Sequence, residues 1–574
     1  MKLRKLYSEP PIFDPITFYD GLNIILGDKN NTKDKTNGVG KSLAIDFINF
    51  CLLKKFNECR VSLIPTNVLK KATICLDLQI KEYNITIKRS TRFPNSPIII
   101  NNEEKIEFNN LDEAKNYLNY LYFNNESHYP SLRSLLGPII REESSEFKSL
   151  ENPYDTNKKI PVDYSPHLYF FGLNTEIYKK IKTTIKAILD AEKIRRKFKK
   201  DAIELTGYEF EDARVAYNNL NLVIKKLKED INEYDFITNY EELKTTILKI
   251  ESDLKLNRSE IAVLNHELRQ IDSFSNEPYI DEKEISETYS IYKKSLGDLI
   301  HRELNEVLTF KRKIDNFQFT LLTKRKEFIN KRISTIKTQV SALEKIYKNK
   351  ISLIDSNDGV FSTLKISIQE YQNKLDEQSN LLSFIRNFDQ NENKISQLKL
   401  QKANELLIIN ENIEVNKSTI KNFESTLLEI HGAVMDNFKC YFNIETTNTN
   451  DVYNFILRIA DDGSHSINRE KVFLYDISLL TNNNFSSRHP GFLIHDNIFD
   501  MDQDTSIKNL SFIFDYFSDI TNTFSKQYIL TLSVDKFDLS FIDEDTLNYV
   551  VVEKFTKTKK FLKKDYSEIS PKKK

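Results

Sequence analysis

The residues best suited to do chemistry lie in one short segment near the start of the chain. It reads Lys35-Thr36-Asn37-Gly38-Val39-Gly40-Lys41-Ser42 and follows the apolar stretch 23–27. Glycines in such a loop let backbone N–H groups turn inward around phosphate oxygens, and the helix that starts there adds its positive dipole end. The lysine reaches the β- and γ-phosphates, and the serine hydroxyl coordinates Mg²⁺. The segment therefore predicts an ATP- and Mg²⁺-binding loop formed by Asn37, Gly38, Val39, Gly40, Lys41 and Ser42.

This loop departs from the usual phosphate-loop pattern in two ways. Lys35 takes the place of the first glycine of GxxxxGK[ST], and residues 28–34 resemble an insertion between Gly27 and the glycine-lysine core. A chance Gly-Lys-Ser is common in proteins. A Gly-Lys-Ser that ends an Asn-Gly-x-Gly run, after an apolar strand and before a helix, is much rarer and favours nucleotide binding.

A phosphate loop needs an acidic partner at the end of a second strand, and Asp496 fits that position. It ends the apolar run 492–495 and could hold the water shell of Mg²⁺, although it could also be a plain capping residue. ATPases of this design usually carry a glutamate next, which polarises the attacking water, but here the next residue is Asn497. Asp500 and Asp502 lie close and could substitute. The predicted catalytic residues are therefore Asp496, Asn497 and Asp500, and the predicted Mg²⁺ ligands are Ser42 and Asp496. Hydrolysis is expected to be slow.

The prolines indicate which elements position these residues. Of the 14 prolines, eleven lie at or before Pro166, two at or after Pro490, and only Pro278 between them. A proline inside a helix costs about 3 kcal/mol, so the middle of the chain is expected to be helical. Apolar residues recur there at alternating steps of four and three, along 236–271, 329–347 and 406–434. This is the spacing of a left-handed coiled coil.

The arrangement of these helices has more than one solution. A turn at 273–278 would make residues 176–434 an antiparallel coiled-coil hairpin with unequal arms. Residues 280–360 would then add a helical elaboration, unless the tip of the hairpin lies nearer Gly297. The alternative to a coiled coil is a bundle of separate amphipathic helices.

The two flanks have the pattern of mixed α/β structure. Residues 23–27, 492–494, 528–532 and 549–552 are expected to be buried strands, and 73–80 with 83–89 a strand hairpin. Neither flank has enough strands for a complete α/β domain, but a helical hairpin would return the chain to its start. The prediction is a split α/β ATPase head made by residues 1–175 and 435–574, interrupted by a coiled-coil hairpin over 176–434.

A split ATPase of this layout resembles the SMC-type branch of the ABC ATPases. The segments GLNIILGD…NGVGKS, SLRSLLGPIIREE, DDGSHSINREKVFLYDISLL and HPGFLIHDNIFD are similar to the YydD-like family of SMC-related ATPases. That resemblance implies ATP-dependent dimerisation of heads, a small middle subunit and an effector, often a nuclease, held inactive until foreign DNA is sensed. Relatives of this kind are the ATPase components of three-component bacterial defence systems, the Lamassu type among them.

The resemblance also assigns residues by position. Gly463, Ser464 and Ser466 correspond to the signature loop that contacts the γ-phosphate bound by the other subunit, although a plain turn before the helix at 468–480 is the alternative. Arg141-Glu142-Glu143 lies where the Q-loop that connects the lobes is expected, without its glutamine. The switch histidine expected after strand 528–532 is absent, and Ser533 and Asp535 occupy that region.

Charge and composition limit the partners. With 83 Lys+Arg against 84 Asp+Glu, contacts to double-stranded DNA or DNA ends must come from local patches. The lysine-rich segment from Lys554 to Lys574 has the composition of a solvated tail. The densest basic run is the better DNA candidate, unless it is only a solvated helix face: Arg195, Arg196, Lys197, Lys199 and Lys200.

The cysteines and the hydropathy indicate the compartment. The four cysteines form no CxxC pair, so the sequence favours a reducing, cytoplasmic location and neither a cysteine zinc site nor a zinc hook that joins coiled coils. No apolar run approaches the roughly 20 residues that span a bilayer, so no membrane partner is expected.

Three functions remain open from the sequence. The first is an SMC-like ATPase that senses DNA within a defence complex. The second is a standalone DNA-repair ATPase of the RecN or RecF kind. The third is a structural coiled-coil protein whose nucleotide fold binds without hydrolysis, as Asn497 and the altered signature loop suggest.

Overall fold

The computed structural model describes residues 1–28, 38–69, 71–206, 210–233, 240–275, 300–352, 359–459, 465–499, 503–518, 526–534, 542, 544–566 and 568. The chain forms two compact units. The first combines residues 1–183 with 402–574, and the second consists of 184–401. The predicted domain limits of 175/176 and 434/435 stay a prediction.

The strands that the structure describes in the first unit form three sheets. In chain order they are β1 Lys2–Glu9, β2 Ile16–Thr17, β3 Gly21–Gly27, β4 Thr73–Ile80, β5 Tyr83–Ser90, β6 Ile98–Asn101, β7 Glu104–Glu107, β8 Ile140–Arg141, β9 Cys440–Thr446, β10 Tyr453–Ile459, β11 Phe492–Asp496, β12 Gln527–Ser533 and β13 Val551–Phe555. One sheet is antiparallel with the order β2-β1-β4-β5-β6-β7, and β9 pairs with β10. The strand hairpin predicted from residue 73 is confirmed, because Thr73 pairs with Ser90 and Ile80 with Tyr83.

The third sheet is parallel and takes strands from both ends of the chain. Its order is β13-β3-β12-β11-β8, with every neighbouring pair parallel. All residues of β3, β11 and β12 are buried, which explains their continuous apolar sequences, because a central parallel strand is covered on both faces. The strand predicted at 549–552 is misplaced, since Tyr549 and Val550 end a helix and β13 begins at Val551.

The helices fall into both units. In chain order they are α1 Lys41–Cys51, α2 Thr66–Leu69, α3 Leu111–Phe123, α4 Leu132–Ile139, α5 Ser165–Phe170, α6 Thr175–Thr206, α7 Phe210–Glu233, α8 Tyr240–Ser275, α9 Ile300–Ser352, α10 Gly359–Val415, α11 Lys417–Met435, α12 His465–Thr481, α13 Gln503–Ser518 and α14 Glu544–Val550. Short 3₁₀ turns occur at Phe56–Glu58, Arg60–Leu63, Glu143–Ser145 and Asn483–Phe485. No helix in the described part of the chain is long and apolar enough to cross a membrane.

In the second unit, α8 and α9 pack side by side in opposite directions. Three ion pairs set this direction, because residues that rise along α8 contact residues that fall along α9: Arg258 with Glu344, Glu260 with Arg332 and Glu267 with Arg325. Helix α8 also contacts α10 through Arg258 and Asp376, whose side chains lie 3.1 Å apart. Its His266 ring lies 6.0 Å from Phe198 of α6.

These contacts correct the continuous ascending arm of the predicted hairpin over 176–434, whereas α6 runs antiparallel to α10 as predicted, with Thr184 hydrogen-bonded to Gln401 and Ala191 to Asn391. Helix α8 lies against α6, α9 and α10, so the described helices pack as a bundle of more than two antiparallel segments. The heptad run from Phe236 was read as one continuous arm, but α7 ends at Glu233 and Phe236 lies outside the described residues. The apolar stripe of a helix does not indicate how many other helices cover it. The spacing of apolar residues therefore could not distinguish a two-armed coiled-coil hairpin from a bundle of several helices.

The apolar run 406–434 has a different role from the one predicted. Its C-terminal half forms α11, which packs on the core of the first unit: the Phe423 ring lies 4.7 Å from Phe442, 5.4 Å from Tyr475 and 5.7 Å from Phe485. The spacing of a coiled coil and the stripe of a helix on a globular core are nearly the same over a few turns.

Candidate functional site

The predicted phosphate loop leads from β3 into α1. Gly38 and Gly40 have φ values of 76° and 111°, a left-handed backbone that glycine adopts at little cost. A Cβ at Gly40 would lie 2.4 Å from the Cβ of Phe561, so no other residue fits there. Val39 is buried between the two glycines, whereas Asn37 lies outside the described residues.

Lys41 is the first residue of α1, and its side chain is buried. Its Nζ donates a hydrogen bond to Oγ of Ser533 at 2.5 Å, across a sequence separation of 492 residues. Ser533 ends β12, the strand beside β3. A Cβ at Gly27, the last residue of β3, would lie 2.7 Å from this Nζ. Gly27 therefore provides the space in which the Lys41 ammonium lies.

Ser42 and Asp496, the two predicted metal ligands, are in direct contact. Ser42 Oγ donates to Asp496 Oδ1 at 3.0 Å, and Thr531 Oγ1 donates to the same oxygen at 2.7 Å. Asp496 ends β11 and is paired in register with Thr531 on β12. Thr531 was not predicted, and its only signal in the sequence is a hydroxyl near the carboxyl end of an apolar strand.

The electrostatics of Asp496 favour a cation. The pKa of this carboxyl group is raised to about 6, mainly because it is buried; the hydrogen bonds from Thr531 and Ser42 oppose this rise, and the nearby carboxylates of Glu143 and Glu142 add to it. Hydroxyl and carboxylate oxygens are the ligands that Mg²⁺ prefers. Among the described residues no group of three or more His, Cys, Asp or Glu could hold a metal alone. The set therefore fits Mg²⁺ that also takes phosphate and water oxygens.

The segment predicted as a Q-loop lies beside this site. Glu142 follows β8, which pairs with β11, and accepts hydrogen bonds from Asn49 Nδ2 at 2.6 Å and Lys54 Nζ at 2.5 Å. Both donors lie at the end of α1 or just beyond it. Glu142 is thereby fixed between β8 and the helix that follows the phosphate loop.

Asn497 follows Asp496 in a left-handed turn with φ of 59°. Its backbone N–H donates to Thr531 Oγ1 at 3.0 Å, and its carbonyl oxygen accepts from Arg469 Nη1 of α12 at 3.0 Å. A carboxamide has no basic site for a proton at neutral pH, so Asn497 cannot act as a general base. Asp500 and Asp502, the suggested substitutes, lie outside the described residues.

The proposed signature loop is described only in part. Gly463 and Ser464 lie outside the described residues, and Ser466 is the second residue of α12. What the structure adds is the fixed position of this helix. Asp476 of α12 accepts hydrogen bonds from Arg141 Nε at 2.5 Å and Arg141 Nη2 at 3.0 Å, and its Oδ2 lies 3.0 Å from His495 Nε2.

This buried network explains the histidine next to Asp496. His495 Nδ1 lies 3.0 Å from the Tyr528 hydroxyl, so both ring nitrogens have partners inside the fold. Burial opposes ionisation of Asp476, but Arg141 and His495 together hold its pKa below the usual value. The network joins β8, α12, β11 and β12 directly behind the candidate site.

The C-terminal segment is part of the site rather than a solvated tail. The Phe561 ring packs 4.5 Å from Phe13 and 5.2 Å from Phe47, and its backbone N–H donates to the Val39 carbonyl at 3.0 Å. Lys557 Nζ lies 4.0 Å from the position of a Cβ on Gly38. The reading of the lysines as a tail is therefore wrong for the residues up to Leu562, because the segment carries the aromatic side chain that completes this core.

The candidate DNA-contact run lies in the part of α6 that belongs to the second unit. Arg195 Nη1 lies 3.2 Å from Glu392 Oε1, and Lys199 Nζ lies 3.6 Å from Glu211 Oε1. Arg196, Lys197 and Lys200 are on the exposed side of the helix. Ion pairs therefore offset part of the positive charge that the sequence places here.

Comparison with known proteins places these features in context. Residues 428–565 match the family described as "Uncharacterised protein conserved in bacteria (DUF2326)". Over 514 residues the chain is 23% identical to the "Uncharacterized protein YydD" of Bacillus subtilis (strain 168), covering 83% of each protein.

Two solved structures of Smc head domains cover most of the chain. One is from Pyrococcus yayanosii and includes a coiled coil and joint; it matches with a TM-score of 0.35 and 14% sequence identity. The match covers 97% of this chain and 94% of the chain in that structure. The other, from Pyrococcus furiosus with an extended coiled coil bound to the C-terminal domain of ScpA, has a TM-score of 0.32 and 12% identity, with coverages of 93% and 90%. The resemblance to YydD-like proteins drawn from the sequence motifs agrees with the match to YydD.

Proposed function

We propose that this chain is an SMC-like ATPase that binds ATP with Mg²⁺ at the site formed by Lys41, Ser42 and Asp496. The observation that carries the proposal is the 3.0 Å hydrogen bond from Ser42 to Asp496, which lie 454 residues apart. A phosphate loop and an acidic strand end meet in this way in nucleotide sites, where the hydroxyl and the carboxylate share one Mg²⁺.

Each residue has a defined role in this proposal. The backbone of Gly38, Val39 and Gly40 surrounds phosphate oxygens, and Lys41 exchanges Ser533 for a phosphate oxygen. Ser42 and Asp496 hold Mg²⁺, which neutralises phosphate charge when bound. A bound cation also favours the ionised form of Asp496, the form that burial disfavours.

Hydrolysis is proposed to be slow, because Asn497 stands where a glutamate would polarise the attacking water. Asp500 is the proposed substitute. A second function, a nucleotide switch that binds without hydrolysis, is favoured by the same observation, since the Asn497 carboxamide cannot accept a proton.

The wider role is proposed from the resemblance to YydD-like proteins. In it, two heads associate when ATP is bound, with the loop at Gly463, Ser464 and Ser466 of one subunit against the nucleotide of the other. The complex contains a small middle subunit and a nuclease effector, responds to double-stranded DNA or DNA ends, and acts in cytoplasmic defence of the Lamassu type. The basic run Arg195–Lys200 of α6 is the proposed DNA contact.

The test is ATP binding and hydrolysis by the purified chain with and without linear DNA. Lys41→Ala is expected to abolish both, and Lys115→Ala, a partly exposed lysine of α3 that pairs with Asp112, serves as the control. Hydrolysis stimulated by DNA supports the sensing role, and binding without hydrolysis supports the switch. Failure of the wild-type chain to bind ATP would contradict both. The sensing role is separated from a repair ATPase by deleting the partner subunits in cells, because a function that persists without them would favour the repair ATPase.

A further inference from the structure

A cavity of about 560 Å³ lies at the edge of the parallel sheet where its strands begin. Gly491, just before β11, and Lys526, just before β12, form part of its lining. Asp496 and Ser533 lie at the opposite ends of these strands. A strand rises about 3.3 Å per residue, so the length of β11 separates this cavity from the candidate ATP site by roughly 17 Å. The volume is that of a small-ligand pocket.

The described lining of this cavity is positively charged. It includes Lys2, Lys81 and Lys526, and no Asp or Glu occurs among the lining residues that the structure describes. Lys2 pairs with Asp20, but Lys526 Nζ donates to neutral oxygens of Thr481 and Asn483, at 3.1 and 3.3 Å. Lys81 Nζ lies 3.5 Å from the amide oxygen of Asn124. An anion in the cavity would balance charge that the described lining leaves unbalanced.

One wall of the cavity is aromatic and already fixed in orientation. Phe123 and His128 stack with ring centroids 3.7 Å apart and nearly parallel planes, and the Tyr169 ring stands edge-on to both, at 5.7 and 5.4 Å. Tyr122 lines the same wall. All four rings are partly exposed. Rigid aromatic faces of this kind bind planar rings by stacking at little cost in side-chain entropy.

We propose that this cavity binds a nucleoside phosphate, with the phosphate at Lys81 and Lys526 and the base against the aromatic wall. The hydroxyls of Ser486 and Ser487, which also line the cavity, are suited to donate to phosphate oxygens. The nucleoside phosphate comes either from a free mononucleotide or from the 5′-phosphorylated end of a DNA strand. This binding does not depend on ATP at Lys41.

The test is calorimetric titration in a Lys41→Ala background, so that the phosphate loop does not contribute. The probes are AMP, adenosine, and hexathymidylate with and without a 5′-phosphate. In at least one of the two pairs, AMP with adenosine or the two forms of hexathymidylate, the phosphorylated probe is expected to bind at least tenfold more tightly than the unphosphorylated one. AMP alone would identify a mononucleotide site, and the phosphorylated oligonucleotide alone a DNA-end site.

The variants are Lys526→Gln and Lys81→Gln, each expected to weaken binding about tenfold, the loss of roughly one charged hydrogen bond. Lys105→Gln, an exposed lysine of β7 paired with Glu107, is the matched control and is expected to bind like the parent. Lys81 is exposed, so its variant is expected to fold even if Lys526→Gln does not. Equal binding by Lys81→Gln and the parent, or no binding of either phosphorylated probe, would overturn the proposal. Wild-type binding of these probes that vanishes with Lys41→Ala would also overturn it, because it would place them in the phosphate loop.

Discussion

Lys41 and Ser533 form a buried hydrogen bond of 2.5 Å between the first residue of α1 and the last residue of β12. The donor is the lysine expected to bind phosphate, and its acceptor lies on the strand next to the one that precedes the phosphate loop. Nucleotide binding would require this ammonium to change partners. Ser533 is therefore placed to compete with phosphate for Lys41.

We predict that Ser533→Ala binds ATP more tightly than the wild-type chain, by about three- to tenfold. A hydrogen bond contributes roughly 0.5–1.5 kcal/mol net, and its removal lowers the cost of freeing Lys41. Ser96→Ala, an exposed serine just before β6, is the control. The measurement is fluorescence titration with an ATP analogue, and weaker binding by Ser533→Ala would show that Ser533 helps to hold the phosphate.

We predict that Asp496→Asn changes how stability depends on pH. The pKa of about 6 in the folded state lies above the usual 3.8, so this group stabilises the fold most below about pH 4, and the contribution is lost as pH rises through 6. At pH 7.5 without Mg²⁺ the variant should be more stable than the wild type, by about 3 kcal/mol.

The comparison is chemical unfolding of wild type and Asp496→Asn at pH 5 and 7.5, with Asp515→Asn, an exposed residue of α13, as the control. Asp46 contributes to the pH dependence of both proteins, because burial also raises its pKa to about 6, and its contribution cancels in the difference between them. Mg²⁺ with ATP should stabilise the wild type and not the variant. Equal stabilisation of both would mean that Asp496 does not hold the cation.

We predict that Asp476→Ala destabilises the first unit by about 3–5 kcal/mol, because it leaves the Arg141 guanidinium buried without its carboxylate. The double variant Arg141→Met with Asp476→Leu should be less destabilised than the single one. Asp389→Ala removes the partner of Arg214 from an exposed pair in the second unit and should cost at most about 1 kcal/mol. Denaturant unfolding followed by circular dichroism measures all three, and similar losses for Asp476→Ala and Asp389→Ala would contradict the prediction.

We predict that Lys557→Ala weakens ATP binding about three- to tenfold, since its ammonium lies next to Gly38 in the phosphate loop and a charged contact to phosphate contributes about 1 kcal/mol or more. Lys559→Ala is the matched control, because Lys559 lies two residues away and pairs with Glu553 at 2.6 Å. Equilibrium binding of a labelled ATP analogue distinguishes them. If both variants lose affinity equally, the effect comes from the net charge of the segment and not from Lys557.

The local elements of the site follow from the amino-acid sequence alone. The Asn-Gly-x-Gly-Lys-Ser run specifies a left-handed turn into a helix, and buried parallel strands leave continuous apolar runs that end at Asp496 and Ser533. These are short-range properties of the backbone and of hydrophobic patterning. These patterns predicted the central strands of the parallel sheet and the start of α1. They also predicted the polar residues at the carboxyl ends of those strands.

The surroundings of those residues depend on the three-dimensional fold. Thr531 and Lys557 come to the site through strand register and through the packing of Phe561, and neither has a motif of its own. An apolar stripe on a helix indicates that the face is buried, but it does not indicate how many elements cover that face or which ones. For this reason α11 was predicted to be part of a coiled coil, although it packs on Phe442 and Tyr475. Contacts between residues hundreds of positions apart depend on the whole fold, so the periodic pattern of one segment does not predict them.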